Sequence, residues 1–370
     1  MKIARVEAHY LDNIPITPPP FRKLPNVERT VMVEIETDDG LVGWGMGGYF
    51  HPSMTNFINN HVAPALIGED PMLIERIAAK LHKQFIFAQR DLGRALVSAL
   101  STIDIALWDI KGKACNQSVH RLLGGAVDRI PVYITHGAAY GGAPVYSPDE
   151  LAAEAKYLVG LGNNYLKNTV GRQAVPDPDD DYIRMKAIRD AVGPNVKLAM
   201  DANARMTSDQ AIRLCRLVED LDISLFEEPC LDNDPRLLVA LKEKTTIPIG
   251  VAENHKYSMR DLLIADAVDI VQPNVNNDGG YTGGLRIAAL AKAFNKPIGH
   301  GNGSGPHNIA LQAGLASGTI VEYHFHKWMA YNAIFKEVPQ PIDGYLHVST
   351  APGTGLEPKD GLISEFKVKV

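Results

Sequence analysis

The sequence predicts an α/β barrel preceded by an α+β module, and two observations support this fold class. Residues 1–128 mix alternating strand patterns with long helical patterns, whereas from residue 129 short apolar strands alternate with amphipathic helices. Alternating units of this kind favour a parallel sheet, and eight of them favour closure into a (β/α)8-type barrel. An open doubly wound sheet fits less well, because no glycine-rich phosphate loop follows the first strand.

The N-terminal module begins with a predicted strand at Met1–Tyr10. A second strand at Val31–Thr37 turns through Asp-Asp-Gly into Leu41–Trp44, which is the pattern of a β-hairpin. The proline-rich segment Ile14–Pro25 lies between these strands and is either a stiff connector or a lid over a site. Residues 53–115 carry a helical apolar stripe, and glycines after Leu123 end the region.

The barrel strands are predicted from short apolar runs separated by helical segments. In the first of these segments, Ser147 is a helix cap and Pro148 occupies the first helical position. The eight predicted strands cover residues 130–135, 164–170, 196–203, 223–229, 247–253, 268–274, 296–300 and 319–323.

Composition narrows the possible partners and compartment. The 370 residues are 45% apolar and 22% charged, as in ordinary folded proteins. The net charge is -6 without a basic tract, so neither nucleic acid nor a membrane surface is an expected partner. Three scattered cysteines predict no disulfide framework and fit a reducing, cytoplasmic setting. The N-terminus has no signal-peptide pattern, and no apolar run is long enough to span a membrane.

Three acidic residues end three successive barrel strands at equal intervals: Asp201, Glu227 and Glu253. A single acid at a strand end usually caps a helix or faces solvent, but three in register would converge on one barrel mouth and repel one another. This arrangement favours a divalent cation, and all-oxygen ligands favour Mg²⁺, one per chain, with Mn²⁺ as a possible substitute. Strand alternation lets only one of the adjacent Glu227 and Glu228 point inward. Glu227 is the predicted ligand, and Glu228 is expected to pair with a base or cap a helix.

The same motifs resemble a known family. Asp201-Ala-Asn203, Phe226-Glu227-Glu228-Pro229 and Ala252-Glu253-Asn254 resemble the three metal-ligand motifs of the enolase superfamily, in its mandelate racemase and muconate-lactonizing branch. IDIALWDIKGKA with LLGG, GLVGWG and GYLHVSTAPGTGLEP are similar to the capping-domain helix, the N-terminal hairpin and the C-terminal return of that branch. The resemblance covers the whole chain.

The resemblance implies a modified TIM barrel, (β/α)7β, with an N-terminal α+β capping domain that the C-terminal tail completes. The expected boundaries are residues 1–128 for the cap, 129–335 for the barrel and 336–370 for the tail that returns to the cap.

The resemblance also implies a reaction, in which a base removes the proton α to a carboxylate and forms an ene-diolate that Mg²⁺ stabilises. The most favoured outcome is dehydration of a sugar acid to a 2-keto-3-deoxy acid, with a small-molecule carboxylate as substrate and a homo-oligomer as the expected assembly. A cycloisomerase, a racemase or epimerase of a related hydroxy acid, and a metal- and ligand-binding relative without catalysis stay open. No organic cofactor is implied.

Two positions depart from the family pattern. The second-strand motif is usually Lys-X-Lys, but here it is Lys167-Asn168-Thr169, and a threonine hydroxyl is too weak a base. The sixth-strand Asp that pairs with a seventh-strand His is here Asn274, although His300 is retained. A one-base elimination by His300 is therefore favoured over a two-base racemisation, with Lys167 orienting the substrate carboxylate.

Further residues are expected to contact the substrate or support those that do. Asn203 would hydrogen-bond the metal-side oxygens, Asn274 would accept a hydrogen bond from His300 through its amide oxygen, and Glu322 would contact the substrate carboxylate. His324 and His326 alternate with Glu322 and are expected at the mouth. Thr169 and three cap residues complete the set of expected contacts: Arg22, Lys23 and His51.

Overall fold

The computed structural model describes residues 1–17, 20–21, 26–48, 51–87, 93–137, 145–254, 257–299 and 305–369. His300, Arg22 and Lys23 lie outside these ranges, as do four other residues of the predicted connector or lid, 18–19 and 24–25. No helix in the described part of the chain is long and apolar enough to cross a membrane.

The cap begins with a three-stranded antiparallel sheet in the order β1-β2-β3. Its strands are β1 (Ile3–Pro15), β2 (Val27–Thr37) and β3 (Val42–Met46). The helices that follow are α1 (Pro52–Phe57), α2 (Ala63–Leu66), α3 (Ile74–Leu81), α4 (Gly93–Ala114) and α5 (Val119–Leu122), with π-helical turns at Ile58–Val62 and His82–Phe87.

The glycines of GLVGWG are explained by how closely β3 packs on α4. A Cβ on Gly45 would lie 2.0 Å from the carbonyl oxygen of Thr102, and a Cβ on Gly43 would lie 2.4 Å from that of Ala106. Only glycine permits this approach, so the hairpin motif and the long helix motif are complementary parts of one interface.

The barrel alternates strands and helices as predicted, with somewhat shorter strands. The strands are β4 (Arg129–His136), β5 (Tyr165–Thr169), β6 (Lys197–Asp201), β7 (Ile223–Glu227), β8 (Ile249–Val251), β9 (Ile270–Val271) and β10 (Val321–His324). The helices are α6 (Pro148–Gly160), α7 (Pro178–Val192), α8 (Ser208–Leu217), α9 (Pro235–Lys242), α10 (Met259–Ile264), α11 (Gly280–Ala293), α12 (Asn308–Gly314) and α13 (Phe325–Ile334), with 3₁₀ turns at Glu219–Leu221 and Leu231–Asn233. Ser147 caps α6 through the expected capping box with Glu150.

The strands form one parallel sheet in the order β10-β4-β5-β6-β7-β8-β9. Single parallel bridges join Val271 to Ile298 and Ile298 to Gly318, which brings the sheet round to the segment before β10. The predicted seventh strand, 296–300, is therefore reduced to one bridged residue among the described positions.

The C-terminal segment returns to both parts of the molecule. Strand β11 (Tyr345–His347) pairs antiparallel with β4, and helix α14 (Leu362–Phe366) precedes Val368, whose N–H donates to the Tyr10 carbonyl at 2.9 Å. The fold is thus the expected modified TIM barrel with an N-terminal cap, and the boundaries between the domains remain predictions.

The buried carboxylate of Glu154 connects β4 and β10, the first and last strands of the parallel sheet. Glu154 on α6 accepts hydrogen bonds from His136 Nδ1 at 3.1 Å, His326 Nε2 at 2.8 Å and the Gly137 N–H at 2.6 Å. His136 ends β4 and His326 follows β10, so one side chain ties both strand ends. His326, which was expected at the mouth, is held by this carboxylate of α6.

We expect Glu154→Gln to destabilise the fold by about 3–5 kcal/mol at neutral pH, because it removes the buried charge that two imidazoles share. Burial by itself raises the pKa of Glu154, but the hydrogen bonds from His136 and His326 lower it to about 2. A depressed folded-state pKa gives stability that is present above the unfolded value and is lost as the pH falls through the folded one. As the pH falls from about 4.5 to about 2, the difference in free energy of unfolding between the wild type and the variant should therefore shrink.

Denaturant unfolding of both proteins at neutral and acid pH measures this effect. Glu365→Gln is the matched control, because Glu365 is exposed on α14. Equal stability of the Glu154 and Glu365 variants at neutral pH would contradict the role assigned to the buried carboxylate.

Candidate active site

The predicted metal ligands lie together at the carboxyl ends of neighbouring strands. Asp201 is the last residue of β6, Glu227 is the last residue of β7, and the two are register partners. Both are buried, and Glu253 follows β8 by two residues and is half-buried. Parallel strands place these ends on one side of the barrel, which is where active sites of this fold lie.

Lys167 projects from β5 into this group of acids. Its ammonium Nζ lies 2.5 Å from Glu227 Oε2, 3.1 Å from Glu322 Oε1 and 3.6 Å from Asp201 Oδ2. The side chain is fully buried. Burial by itself lowers the pKa of Lys167, but the charges of Glu227 and Glu322 raise it well above its usual value. The neighbouring acids therefore favour the protonated, cationic form of Lys167.

The acids repel one another across the mouth. Burial, followed by the charge of Asp201, raises the pKa of Glu227, with Lys167 opposing the change. Burial, followed by the charges of Glu253, Asp201 and Glu227, raises the pKa of Glu228 well above its usual value. A divalent cation among these oxygens would relieve the repulsion, so the chemistry of the donors fits a hard metal ion.

The carboxylates of the three predicted metal ligands do not surround a common point in this structure. Within the described ranges, no three carboxylate, imidazole or thiol groups stand close enough together to form a ligand set. The contact with Lys167 Nζ holds Glu227 Oε2, and Gln272 Nε2 donates to the same oxygen at 3.0 Å. Asp201, Glu227 and Glu253 share the mouth, but they would have to turn toward a common ion, and their role as ligands stays a prediction.

Glu228 is held by an amide. Its Oε1 accepts the Asn254 N–H at 2.6 Å, and its Oε2 accepts a short hydrogen bond from Asn254 Nδ2. The expectation of a basic partner or a helix cap is wrong, because the backbone at Glu228 is left-handed with φ 45° and turns the side chain toward Asn254. With both oxygens engaged, Glu228 is a poorer ligand candidate than Glu227.

Asn203 fixes the orientation of the Asp201 carboxylate. Its N–H and its Nδ2 donate to Asp201 Oδ1 at 2.7 and 2.6 Å, from a left-handed backbone with φ 45°. Its own Oδ1 accepts from Arg172 Nη1 at 3.3 Å. Asn203 thus contacts a predicted metal ligand directly and links it to a guanidinium group in the loop after β5.

Thr169 and Glu322 line the mouth as expected. Thr169 ends β5 opposite Asp201 in register, and its buried hydroxyl has no hydrogen-bond partner in the described part of the chain. Glu322 on β10 accepts a short hydrogen bond from the Thr135 hydroxyl in addition to its contact with Lys167. The carboxylate of Glu322 therefore joins the Lys167 ammonium group to the Thr135 hydroxyl.

Asn274 is part of a buried amide network. Its Oδ1 accepts from the Asn276 N–H at 3.0 Å and from Asn308 Nδ2 at 3.0 Å. The expected contact between Asn274 and His300 lies outside the described residues and stays a prediction. The amide turns its nitrogen, not its oxygen, away from Asn276 and Asn308.

His51 lies in the cap, directly before α1. It is exposed and caps α1, accepting from the Ser53 N–H at 3.2 Å. The strand β3 that leads toward it is tied to the barrel, because Asn276 Nδ2 donates to the Met46 carbonyl at 2.7 Å. Contact between His51 and a substrate stays a prediction, and so does the role of His300, which lies outside the described residues.

Sequence reasoning missed four residues of this site. Gln272 directly follows β9, and Thr135 lies on β4 as the register partner of Lys167, so their positions at the ends of apolar runs were a usable signal. Arg172 lies in the segment after β5 and Lys327 lies in the first turn of α13, where the two-residue period of a strand does not mark the direction of a side chain.

The comparison with known families matches both parts of the chain. A family model described as mandelate racemase / muconate lactonizing enzyme, N-terminal domain, matches residues 23–124. A second model, described as enolase C-terminal domain-like, matches residues 150–362.

Individual relatives extend the match over nearly the whole length. The chain is 34% identical to arabinonate dehydratase of Saccharolobus solfataricus, over 92% of this chain and 91% of that protein. It is 31% identical to D-galactarolactone cycloisomerase of Agrobacterium fabrum, over 100% and 99%. The solved structure of a mandelate racemase/muconate lactonizing enzyme from a marine actinobacterium, in complex with magnesium, superposes with a TM-score of 0.84 at 28% identity and covers 100% of this chain and 99% of that one.

Proposed function

The chain belongs to the mandelate racemase and muconate-lactonizing enzyme family of the enolase superfamily, and on that basis we propose that it dehydrates a sugar acid to a 2-keto-3-deoxy acid. The observation that carries the proposal is the buried Lys167 ammonium group among Asp201, Glu227 and Glu322 at the barrel mouth. With a divalent ion held among these acids, such a site would attract a carboxylate and favour the extra negative charge that forms when its α-proton leaves.

Asp201, Glu227 and Glu253 would hold one Mg²⁺, in keeping with the magnesium complex of a structural relative. A bound divalent ion supplies Lewis-acid stabilisation of charge on carboxylate oxygens. The protein's own contributions are the ammonium group of Lys167, the orientation of Asp201 by Asn203, and the exclusion of water by burial.

The elimination of water requires one group that removes a proton and one group that delivers a proton. A base takes the α-proton, the electron pair forms the enol double bond, and the β-hydroxyl leaves as water after it receives a proton. The enol then tautomerises to the 2-keto acid. Thr169 in place of a second lysine supports this route over racemisation, because only one face of the substrate has a strong proton acceptor by family resemblance.

A cycloisomerase is the second candidate. The D-galactarolactone cycloisomerase of Agrobacterium fabrum aligns over 100% of this chain, which supports it alongside the dehydratase. Both reactions begin with abstraction of the same α-proton and differ in the group that leaves.

We expect a panel of sugar acids with Mg²⁺ in D₂O to show α-deuterium exchange together with a 2-keto-3-deoxy product, followed by NMR. EDTA should remove both signals, and re-addition of Mg²⁺ should restore them. Exchange without a keto product would favour an epimerase, and a product of unchanged mass would favour a cycloisomerase. Binding without exchange across the panel would overturn the enzymatic proposal in favour of a non-catalytic relative.

The remaining attributes follow from the same reasoning. We infer a cytoplasmic location from the three free cysteines Cys115, Cys215 and Cys230, and no nucleic-acid or membrane partner from the acidic net charge. The inferred homo-oligomer rests on the family resemblance alone. Size-exclusion chromatography with light scattering tests the assembly.

A further inference from the structure

A glutamine side chain reaches the carboxylate of Glu227 from two strands away. Gln272 directly follows β9, and its Nε2 donates at 3.0 Å to Glu227 Oε2 at the end of β7. Strand β8 lies between β7 and β9 in the sheet. Two strand spacings amount to about 10 Å, so the two long side chains meet over β8.

Gly250 of β8 leaves the space for this contact. It is the register partner of Glu227, and a Cβ at this position would lie 2.2 Å from Gln272 Oε1. Glycine inside a strand is normally unfavourable and marks a place where another group approaches the backbone closely. The φ of Gly250 is not positive, so the close approach of the amide, and not the backbone conformation, explains the glycine.

The contact with Gln272 acts on one oxygen of Glu227. Lys167 Nζ, at 2.5 Å, and Gln272 Nε2 both donate to Oε2, so Oε1 is the oxygen that these contacts leave for another ligand. The lysine is shared, since its Nζ also lies 3.1 Å from Glu322 Oε1 and 3.6 Å from Asp201 Oδ2. An ammonium group repels a cation bound to the same carboxylate, whereas a neutral amide orients the carboxylate without this repulsion. Gln272 is therefore the donor better suited to orient Glu227 beside a divalent ion.

The stability of the fold does not by itself account for a glutamine at this position. The side chain of Gln272 is buried, and its Oε1 accepts no hydrogen bond in the part of the chain that the structure describes. A buried carbonyl oxygen without a partner costs stability that an apolar side chain of similar shape would avoid. The amide is therefore explained by what its nitrogen holds, which is the carboxylate of a predicted metal ligand.

We propose that Gln272 is a positioning residue of the metal site, which reaches over Gly250, holds Glu227 Oε2 and so presents Oε1 to the divalent ion. This inference rests on the proposed function, because it assumes that Glu227 is a ligand of Mg²⁺. It concerns the affinity of the site for the metal, so it can be measured without any turnover.

Calorimetric titration of the full chain with Mg²⁺ tests the proposal. Q272M keeps the length of the side chain and removes the donor, and it should weaken Mg²⁺ binding about 10-fold or more, as the loss of a hydrogen-bond partner of a metal ligand usually does. G250A should have a similar effect, because the added Cβ would displace the amide. The double variant Q272A/G250A should bind Mg²⁺ within about twofold of Q272A, because without the amide the Cβ no longer meets it.

G160A and Q117A are the matched controls. A Cβ on Gly160 would meet no atom within 4 Å, and Gln117 is exposed. Both should bind Mg²⁺ as the wild type does. Thermal unfolding without metal checks that each variant folds, and Q272M and Q272A decide the matter if G250A does not fold. A purely structural role of Gln272 would lower the unfolding temperature and leave the Mg²⁺ affinity of the folded protein unchanged.

The outcomes separate this proposal from the broader one. If Q272M and G250A weaken Mg²⁺ binding and the double variant matches Q272A, but no sugar acid is turned over, the positioning role stands and the proposed dehydration fails. If Q272M binds Mg²⁺ as tightly as the wild type, or if the effects of Q272A and G250A add fully, the positioning role is overturned and the proposed dehydration stands. A wild type that binds no Mg²⁺ would overturn both.

Discussion

Glu227→Ala is expected to abolish detectable Mg²⁺ binding and to reduce turnover by about a thousandfold or more, since a metal-bound carboxylate site gains several kcal/mol of charge stabilisation. Glu227 ends β7 opposite Asp201, and its carboxylate is buried against the Lys167 ammonium group. Removing it leaves an incomplete set of oxygen ligands. It also removes one of several mutually repelling acids, so thermal stability without metal should be unchanged or higher.

Isothermal titration calorimetry with Mg²⁺ measures the first effect without relying on activity. Glu228→Gln is the matched control, because Asn254 holds both oxygens of Glu228 and a glutamine can keep one of these contacts. The control should bind Mg²⁺ nearly as well as the wild type. Normal binding by Glu227→Ala, with loss in Glu228→Gln, would move the ligand role to Glu228.

The strand ends were predictable from sequence because burial and polarity change there abruptly. Asp201 and Glu227 each close an apolar run, and the structure puts them in register at the same mouth. The choice of Lys167 followed from the resemblance of Lys167-Asn168-Thr169 to the second-strand motif of the family. The gathering of Lys167, Glu227 and Glu322 in one contact group did not, because it depends on side-chain rotation between strands that are distant in sequence.

Strand β1 shows why a boundary could be missed. The alternation suggested an end at Tyr10, yet β1 continues to Pro15 because Ile14 and Pro15 pair with β2. Asn13 adopts a left-handed backbone with φ 58° at an irregularity in the pairing, and this irregularity breaks the alternation on which the prediction relied.

The orientation of Asn274 was also beyond the reach of sequence. Its residue type suggested an amide oxygen offered to an imidazole, but the backbone N–H of Asn276 and the side chain of Asn308 decide which end of the amide is used. Asn308 lies on α12 and is distant from Asn274 in sequence, so no local sequence pattern predicts the contact.

His300→Asn is expected to remove α-proton exchange altogether while leaving Mg²⁺ binding intact. The prediction rests on the sequence, in which His300 is the retained seventh-strand histidine and Thr169 replaces the second lysine. A histidine titrates near neutral pH, whereas a threonine hydroxyl cannot accept a proton there. Thr169→Ala should consequently change the rate only modestly and serves as the control.

Asn274→Asp tests the partner of this base. An aspartate would keep one oxygen on Asn276 and Asn308 and place the other, with its negative charge, where the amide nitrogen now lies. A negative charge beside an imidazole raises its pKa, so the acid limb of the pH–rate profile should move to higher pH. A slower turnover at neutral pH would indicate that the protonated histidine must return its proton to the leaving hydroxyl.

Deuterium exchange followed by NMR, with a sugar acid that the wild type accepts, measures all three variants under one set of conditions. Wild-type exchange in His300→Asn would contradict the assignment of the base. Lys167 would then be the residue to replace, although its high pKa among Glu227 and Glu322 makes it a poor proton acceptor in the resting site. Exchange lost only in Lys167→Met would mean that substrate or metal binding lowers that pKa, and the proton would leave from the opposite face of the substrate.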